Sequence, residues 1–126
     1  MTRMLMTFAT FLTLTAAQAA LPPPVDFAGQ WVGTATARGS TLTGPLTLSL
    51  AATPNARKFR GSVTLVAGQS TTCHVVARYR TALLLRATCS GKVSVVVAHY
   101  DSATGTLTGS FPIGHHHIAD FTLQQG

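Results

Sequence analysis

The chain has 126 residues, with nine Lys or Arg against three acidic residues and a net charge of +6. This length suits one ordinary domain with one core, and so few acids leave little choice for the paired carboxylates of a glycosidase. The sparse, one-sided charge indicates attraction to polyanions, or only the net charge that keeps a secreted protein in solution.

Residues 1–19 have the pattern of a signal peptide. Arg3 supplies a positive charge, an apolar run extends from Leu5 to Ala17, and Ala17-Gln18-Ala19 is the small-x-small pattern that a signal peptidase cuts after. The run is too short and too rich in Thr to span a bilayer. We therefore expect an exported protein, secreted or periplasmic, that is not membrane-spanning.

Residues 20–27 form a Pro-rich lead-in, and residues 28–126 are predicted to form a single β-barrel domain. Apolar residues there alternate with Thr, Ser, Ala and Arg at a period of two, as in half-buried strands. Turn signals separate the strand-like runs Gly29–Arg38, Thr41–Ala51, Lys58–Ala67, Thr71–Tyr79, Ala82–Cys89, Lys92–Tyr100, Thr106–Phe111 and His116–Leu123.

Because every connection between these runs is short, neighbouring strands should be antiparallel. We predict an all-β fold, an eight-stranded antiparallel up-and-down barrel or meander. Eight short strands leave an interior that side chains nearly fill, so we expect a closed core rather than a cavity.

The two cysteines, Cys73 and Cys89, predict one structural disulfide, because an even count in an exported chain favours a bridge and no Cys-x-x-Cys pair is present. A turn centred on Thr81 places them opposite each other, as a cross-strand bridge near the end of its hairpin. In the loop-entropy account, closing about 15 residues contributes about 3 kcal/mol.

Two turns give the same division of inner and outer faces. A loop centred on Gln69 pairs Phe59 with Tyr79, and the turn at Thr81 pairs Tyr79 with Leu83. Both registers put odd-numbered, mostly apolar residues on the inner face. The predicted core residues are Trp31, Phe59, Tyr79, Leu85 and Phe121.

The same registers put cations on the outer face, where Lys58 would lie opposite Arg80 and Arg60 opposite Arg78. Like charges opposite each other are mildly destabilising, so this arrangement indicates a use. The predicted anion-binding residues are Lys58, Arg60, Arg78, Arg80 and Arg86.

The expected partner of this basic face is an anionic lipid, an acidic glycan or an acidic protein. Nucleic acid is not expected, since an exported protein seldom meets it and the face lacks interleaved aromatic residues for base stacking. The alternative is a solvated edge that discourages strand association.

The run Lys92–Tyr100 allows two orientations. A two-residue turn at Ser90-Gly91 would point Val93, Val95 and Val97 outward, and such an apolar row indicates an interface between subunits. A longer turn reverses the faces and predicts no interface.

The sequence shows little sign of metal or catalytic chemistry. His115 and His117 would share a strand face and are weak metal candidates, but a metal site needs further ligands, and an exposed junction is the favoured interpretation. No Gly-x-Ser-x-Gly elbow, phosphate-binding glycine loop or dinucleotide fingerprint occurs. We therefore expect no cofactor and predict that the protein is not an enzyme.

The first strand opens with Phe27-Ala28-Gly29-Gln30-Trp31. A Gly-x-Trp opening followed by an eight-strand meander resembles the calycin group of lipocalins, avidins and small bacterial inhibitors. The resemblance implies that Trp31 plugs one end of the barrel and that the last strand pairs with the first.

The chain departs from these families in several places. Residues 118–126 lack the late Arg that caps the Trp of lipocalins, and Trp31 is the single tryptophan where avidins use several. The stretch Ala28–Trp31 also looks like the start of the bacterial periplasmic inhibitors of metalloproteases, whose cysteines, however, belong to earlier strands.

These patterns predict an exported, non-enzymatic binding or interaction protein whose ligand is unknown, and whose basic face meets anionic components of the cell envelope. One alternative is a periplasmic protease inhibitor that uses the segment before Phe27. The other is a carrier of a small apolar ligand.

Overall fold

The computed structural model describes residues 23–113 and 117–126. These residues form the strands β1 (Gly29–Ala37), β2 (Thr43–Ala52), β3 (Lys58–Ala67), β4 (Gln69–Tyr79), β5 (Leu83–Cys89), β6 (Lys92–Asp101), β7 (Thr106–Ile113) and β8 (His117–Gln125). Within this part of the chain, no helix is long and apolar enough to cross a membrane.

Each strand pairs antiparallel with the next, and the last pairs with the first. The β1–β8 ladder runs from Trp31 opposite Gln125 to Ala37 opposite Ala119, which closes the sheet into a barrel. The predicted eight-stranded up-and-down barrel of calycin-like shape is therefore confirmed.

Apolar residues form the interior because they recur at every second position of a strand. In β2, for example, Leu46, Leu48 and Leu50 are buried, while the residues between them are more accessible. In β4, Val75 and Ala77 are buried between exposed neighbours.

One end of the barrel, which we call the aromatic end, is filled by rings. The rings of Phe27 and Trp31 are 6.0 Å apart, and Tyr79 lies 5.4 Å from Phe27 on the other side. The Trp31 Nε1–H donates a hydrogen bond of 3.0 Å to the Phe27 carbonyl. Phe27, which the sequence assigned to the lead-in, is fully buried and belongs to this plug.

The predicted core residues lie inside the barrel. Trp31, Phe59, Leu85 and Phe121 are buried, and Tyr79 is half-buried and packs against the core.

The predicted β3–β4 register is wrong by two residues. Phe59 lies opposite Ala77 rather than Tyr79, because the chain reverses at Gly68 rather than Gln69. Gly68 has a φ of +80°, a conformation that glycine adopts without a steric penalty. Since the side-chain period of a strand is two, this shift keeps every residue on its predicted face.

The predicted β4–β5 register is confirmed, with Val75 opposite Ala87 and Tyr79 opposite Leu83. The predicted disulfide between Cys73 and Cys89 is present just beyond this ladder, with the two Cα atoms 4.7 Å apart. It joins β4 and β5 at the end of the barrel opposite the aromatic plug, which we call the open end.

Of the two turns that the sequence allows between β5 and β6, the two-residue turn is present, with Cys89 opposite Lys92. Ser90 and Gly91 both have positive φ, at 50° and 82°, as a tight hairpin turn of this kind requires. The outward row therefore exists, and Val93, Val95 and Val97 are exposed by 57%, 62% and 42%. The interface that this row predicts stays a prediction.

Candidate functional site

A cavity of about 260 Å³ lies inside the barrel at the open end. The expectation of a closed core rather than a cavity is wrong at this end. The reason is side-chain size, because small inward residues such as Ala87 and Ser94 line this end, whereas the rings gather at the aromatic end. The larger apolar residues of its wall include Leu46, Leu48, Leu65, Val96, Phe111 and Phe121.

The wall of the cavity is almost entirely apolar. Thr71 and Ser94 are the residues with polar side chains that line it, and no charged residue of the described chain lines it. Burying a charged group there without a partner would be costly. The cavity therefore suits an uncharged molecule.

The volume of the cavity limits the size of its occupant. A cavity of about 150 Å³ lined by apolar side chains holds benzene. By the same proportion, this cavity holds an apolar group of roughly ten heavy atoms.

The disulfide belongs to the wall of this cavity. Both Cys73 and Cys89 line it, and Cys73 is buried. The hydrogen-bonded ladder between β4 and β5 ends at His74 and Thr88, one residue short of the bridge. The disulfide thus holds the two strands together at the rim, where pairing stops.

A polar cluster on the outside of the barrel, near the open end, connects the end of β1 with β7 and β8. The Arg38 guanidinium forms an ion pair of 2.7 Å with Asp120, and the Ser110 hydroxyl donates a hydrogen bond of 2.6 Å to the same carboxylate. These two hydrogen bonds lower the pKa of Asp120 to about 2, with the one from Arg38 the larger cause. All three side chains face solvent rather than the cavity.

The basic residues lie on the outer face of β3, β4 and β5, towards the aromatic end. Lys58 lies opposite Arg78, and Arg60 lies opposite Val76, so the predicted pairs of Lys58 with Arg80 and Arg60 with Arg78 are wrong. The cause is the two-residue shift at Gly68.

The corrected register still leaves the cations on one face. Arg60, Val76 and Arg86 form a row across three strands, and Arg78 lies beside Lys58. Arg80 follows in the β4–β5 connection. None of β3, β4 and β5 contains an acidic residue, so every Lys or Arg on this face has the same sign of charge around it.

The metal candidates fall largely outside the described residues. His115 lies in the segment 114–116, which the structure does not describe, and His117 is exposed at the start of β8. Over residues 23–113 and 117–126, no three His, Cys, Asp or Glu side chains come together in a way that would hold a metal ion. The weak metal prediction is therefore untested.

Comparison with known proteins gives a likeness of shape. No known protein family matches the sequence, and no curated protein matches it. Among solved structures, the chain is similar to a mutant of the fluorescent protein UnaG, with a TM-score of 0.43, 13% identity, and coverage of 80% of this chain and 96% of that one.

The sequence missed two features of the site. Most of the inward residues that line the cavity were predicted to face the interior, but the empty space itself was not predicted. Phe27 was missed as part of the plug, although an aromatic residue four positions before Trp31 is a signal that points to it.

Proposed function

We propose that this protein binds a small, uncharged, apolar molecule in the cavity at the open end of the barrel, and that it acts as a binding protein rather than an enzyme. The observation that carries the proposal is the cavity itself, with its apolar wall and its volume of about 260 Å³. Protein interiors are close-packed and hold few voids larger than a water molecule. A space of this size is therefore more than a packing defect.

The cavity lies at the end of the barrel opposite the aromatic plug. The rings at the aromatic end keep a close-packed core around Trp31. The disulfide holds β4 and β5 at the cavity rim. A ligand in the cavity would thus lie between close-packed rings at one end and strands held by the disulfide at the other.

Filling the cavity should abolish binding. The probe is 2-naphthol, which is neutral, fluorescent and of roughly the size that the cavity holds. Ala87→Phe places a ring in the cavity, so we expect it to weaken binding at least about tenfold, which corresponds to about 1.4 kcal/mol. The measurement is a fluorescence titration, with thermal unfolding to verify that the variant is folded.

The matched control is Thr88→Phe, which adds the same ring to the next residue of β5, on the exposed outer face. This control should bind 2-naphthol as the unmodified protein does. Equal binding by the two variants, or no binding by the unmodified protein, would contradict the proposal.

We also propose that the protein is exported, as the signal-peptide pattern of residues 1–19 predicts. The disulfide supports this proposal, because such bridges persist in oxidising compartments and are rare in the cytosol.

A second candidate function is the binding of anionic envelope components by the basic face. Its support is the row of Arg60 and Arg86 beside Arg78, on strands that contain no acidic residue. Arg60→Glu and Arg78→Glu should each reduce retention on phosphatidylglycerol vesicles. Lys92→Glu makes the same change of charge outside this face and should leave retention unchanged. Equal losses of retention in all three variants would show that binding does not depend on this face.

The inhibitor alternative depends on the segment before Phe27. The structure describes only residues 23–26 of that segment, so this alternative stays a prediction.

A further inference from the structure

The seam between β6 and β7 is only partly hydrogen-bonded. Their ladder extends from Ala98 opposite Gly109 to Asp101 opposite Thr106. Beyond it, β7 continues to pair with β8 as far as Ile113. In the described part of the chain, residues 93–97 of β6 pair with β5 but have no ladder partner in β7.

Pro112 prevents the β6–β7 ladder from extending to the open end of the barrel. The backbone N–H of Arg38 donates to the Ile118 carbonyl at 2.7 Å, so Ile118 directs its polar backbone groups towards β1. Pro112 lies opposite Ile118 in this antiparallel ladder. Since the backbone groups of Ile118 point away from β7, the backbone carbonyl of Pro112 must point away from β8, towards β6. Proline has no N–H to donate, so a β6–β7 ladder cannot continue through it.

The cavity reaches this seam. Ser94 and Val96 of β6, and Phe111, Pro112 and Ile113 of β7, all line it. Pro112 is exposed and alternates with the inward residues Phe111 and Ile113, and it too lines the cavity, so the cavity lies against β7 beside the stretch of β6 that has no ladder partner there.

Polar groups without partners lie along the same seam. Continuing the β6–β7 register places Val95 opposite Pro112, so the backbone N–H and C=O of Val95 point into the gap. The Ser94 hydroxyl lines the cavity, and no described residue hydrogen-bonds to it. Elsewhere Thr71 is the one polar side chain among the described residues of the wall, so Ser94 and Val95 are the polar groups at the seam that can recognise a polar substituent.

Building on the proposed function, we propose that the seam is the entrance of the cavity and the subsite for the polar end of the ligand. The ligand is then a neutral molecule with an apolar body of roughly ten heavy atoms and one hydroxyl or amide group. The body occupies the space beside Val96, and the polar group binds at Ser94 and Val95.

The first test closes the seam. A disulfide in Val95→Cys/Pro112→Cys should slow the exchange of 2-naphthol at least about tenfold, which corresponds to about 1.4 kcal/mol. Pro112→Val, which restores the missing N–H, should slow it in the same direction. Stopped-flow fluorescence measures the exchange.

The control disulfide is His99→Cys/Thr108→Cys, at exposed, directly paired residues in the closed part of the same seam. It should leave the exchange rate unchanged. The proposal is overturned, and the entrance lies elsewhere, if 2-naphthol exchanges as fast as in this control in both seam variants, Val95→Cys/Pro112→Cys and Pro112→Val.

The second test concerns the polar end. The unmodified protein should prefer 2-naphthol to naphthalene, and Ser94→Ala should reduce that preference by about threefold to tenfold, the effect of one hydrogen bond. An unchanged preference would place the polar end outside the seam. Failure of both probes to bind the unmodified protein would instead overturn the proposed function.

Discussion

Trp31→Ala is expected to destabilise the barrel by about 3–5 kcal/mol, the range for truncating a large buried aromatic residue. Trp31 is fully buried, its ring contacts those of Phe27 and Tyr100, and its indole N–H is hydrogen-bonded to Phe27. Small domains have a total stability of about 5–15 kcal/mol, so this loss is a large fraction of it. Urea unfolding followed by circular dichroism measures it.

The matched control for this prediction is Val32→Ala on the same strand. Val32 points outward and is 42% exposed, so its truncation should change the free energy of unfolding by no more than about 0.5 kcal/mol. Similar losses for Trp31→Ala and Val32→Ala would show that the aromatic end is not the centre of stability.

Phe27→Ala tests whether a residue outside the strands contributes to the stability of the aromatic end, because Phe27 precedes β1 but is fully buried in the plug. Its loss should approach that of Trp31→Ala.

Much of this fold was predictable because it depends on local alternation. Inward and outward positions have a period of two, so the sequence places Val75 and Ala77 inside without any knowledge of their partners. Even the shifted turn at Gly68 did not move a residue to the wrong face. Only properties that depend on the exact partner changed, such as which cation lies opposite Lys58.

The cavity was not predictable in this way, because it depends on the summed volume of residues from many strands. Each inward residue at the open end, such as Val63 or Ala87, is ordinary for a barrel. In the closed barrel the rings gather at the other end. Only then is the combined volume of these side chains smaller than the space that they surround.

The open seam is equally a property of the assembled barrel. The sequence shows a proline at position 112. It does not show which neighbouring strand a backbone N–H at this position would face. That direction follows from the hydrogen bond between Arg38 and Ile118, two residues brought together only when β8 meets β1.

Gly61→Ala is expected to cost about 3 kcal/mol or more, at the high end for overpacking, although the change adds one methyl group. Gly61 lies on β3 opposite Leu50 of β2. A Cβ built on Gly61 would overlap the backbone carbonyl of Ser49 on the neighbouring strand. A backbone carbonyl held in a ladder cannot rotate away as a side chain can, so β2 and β3 would have to separate.

Gly68→Ala separates this steric effect from the conformational preference of glycine. Gly68 has a φ of +80°, but an added Cβ would meet nothing within 4 Å, so alanine there should cost only about 1–2 kcal/mol. The urea midpoints of the two variants give the comparison. A smaller loss for Gly61→Ala than for Gly68→Ala would mean that the β2–β3 ladder can relax, and that the curvature of the barrel does not depend on this close approach.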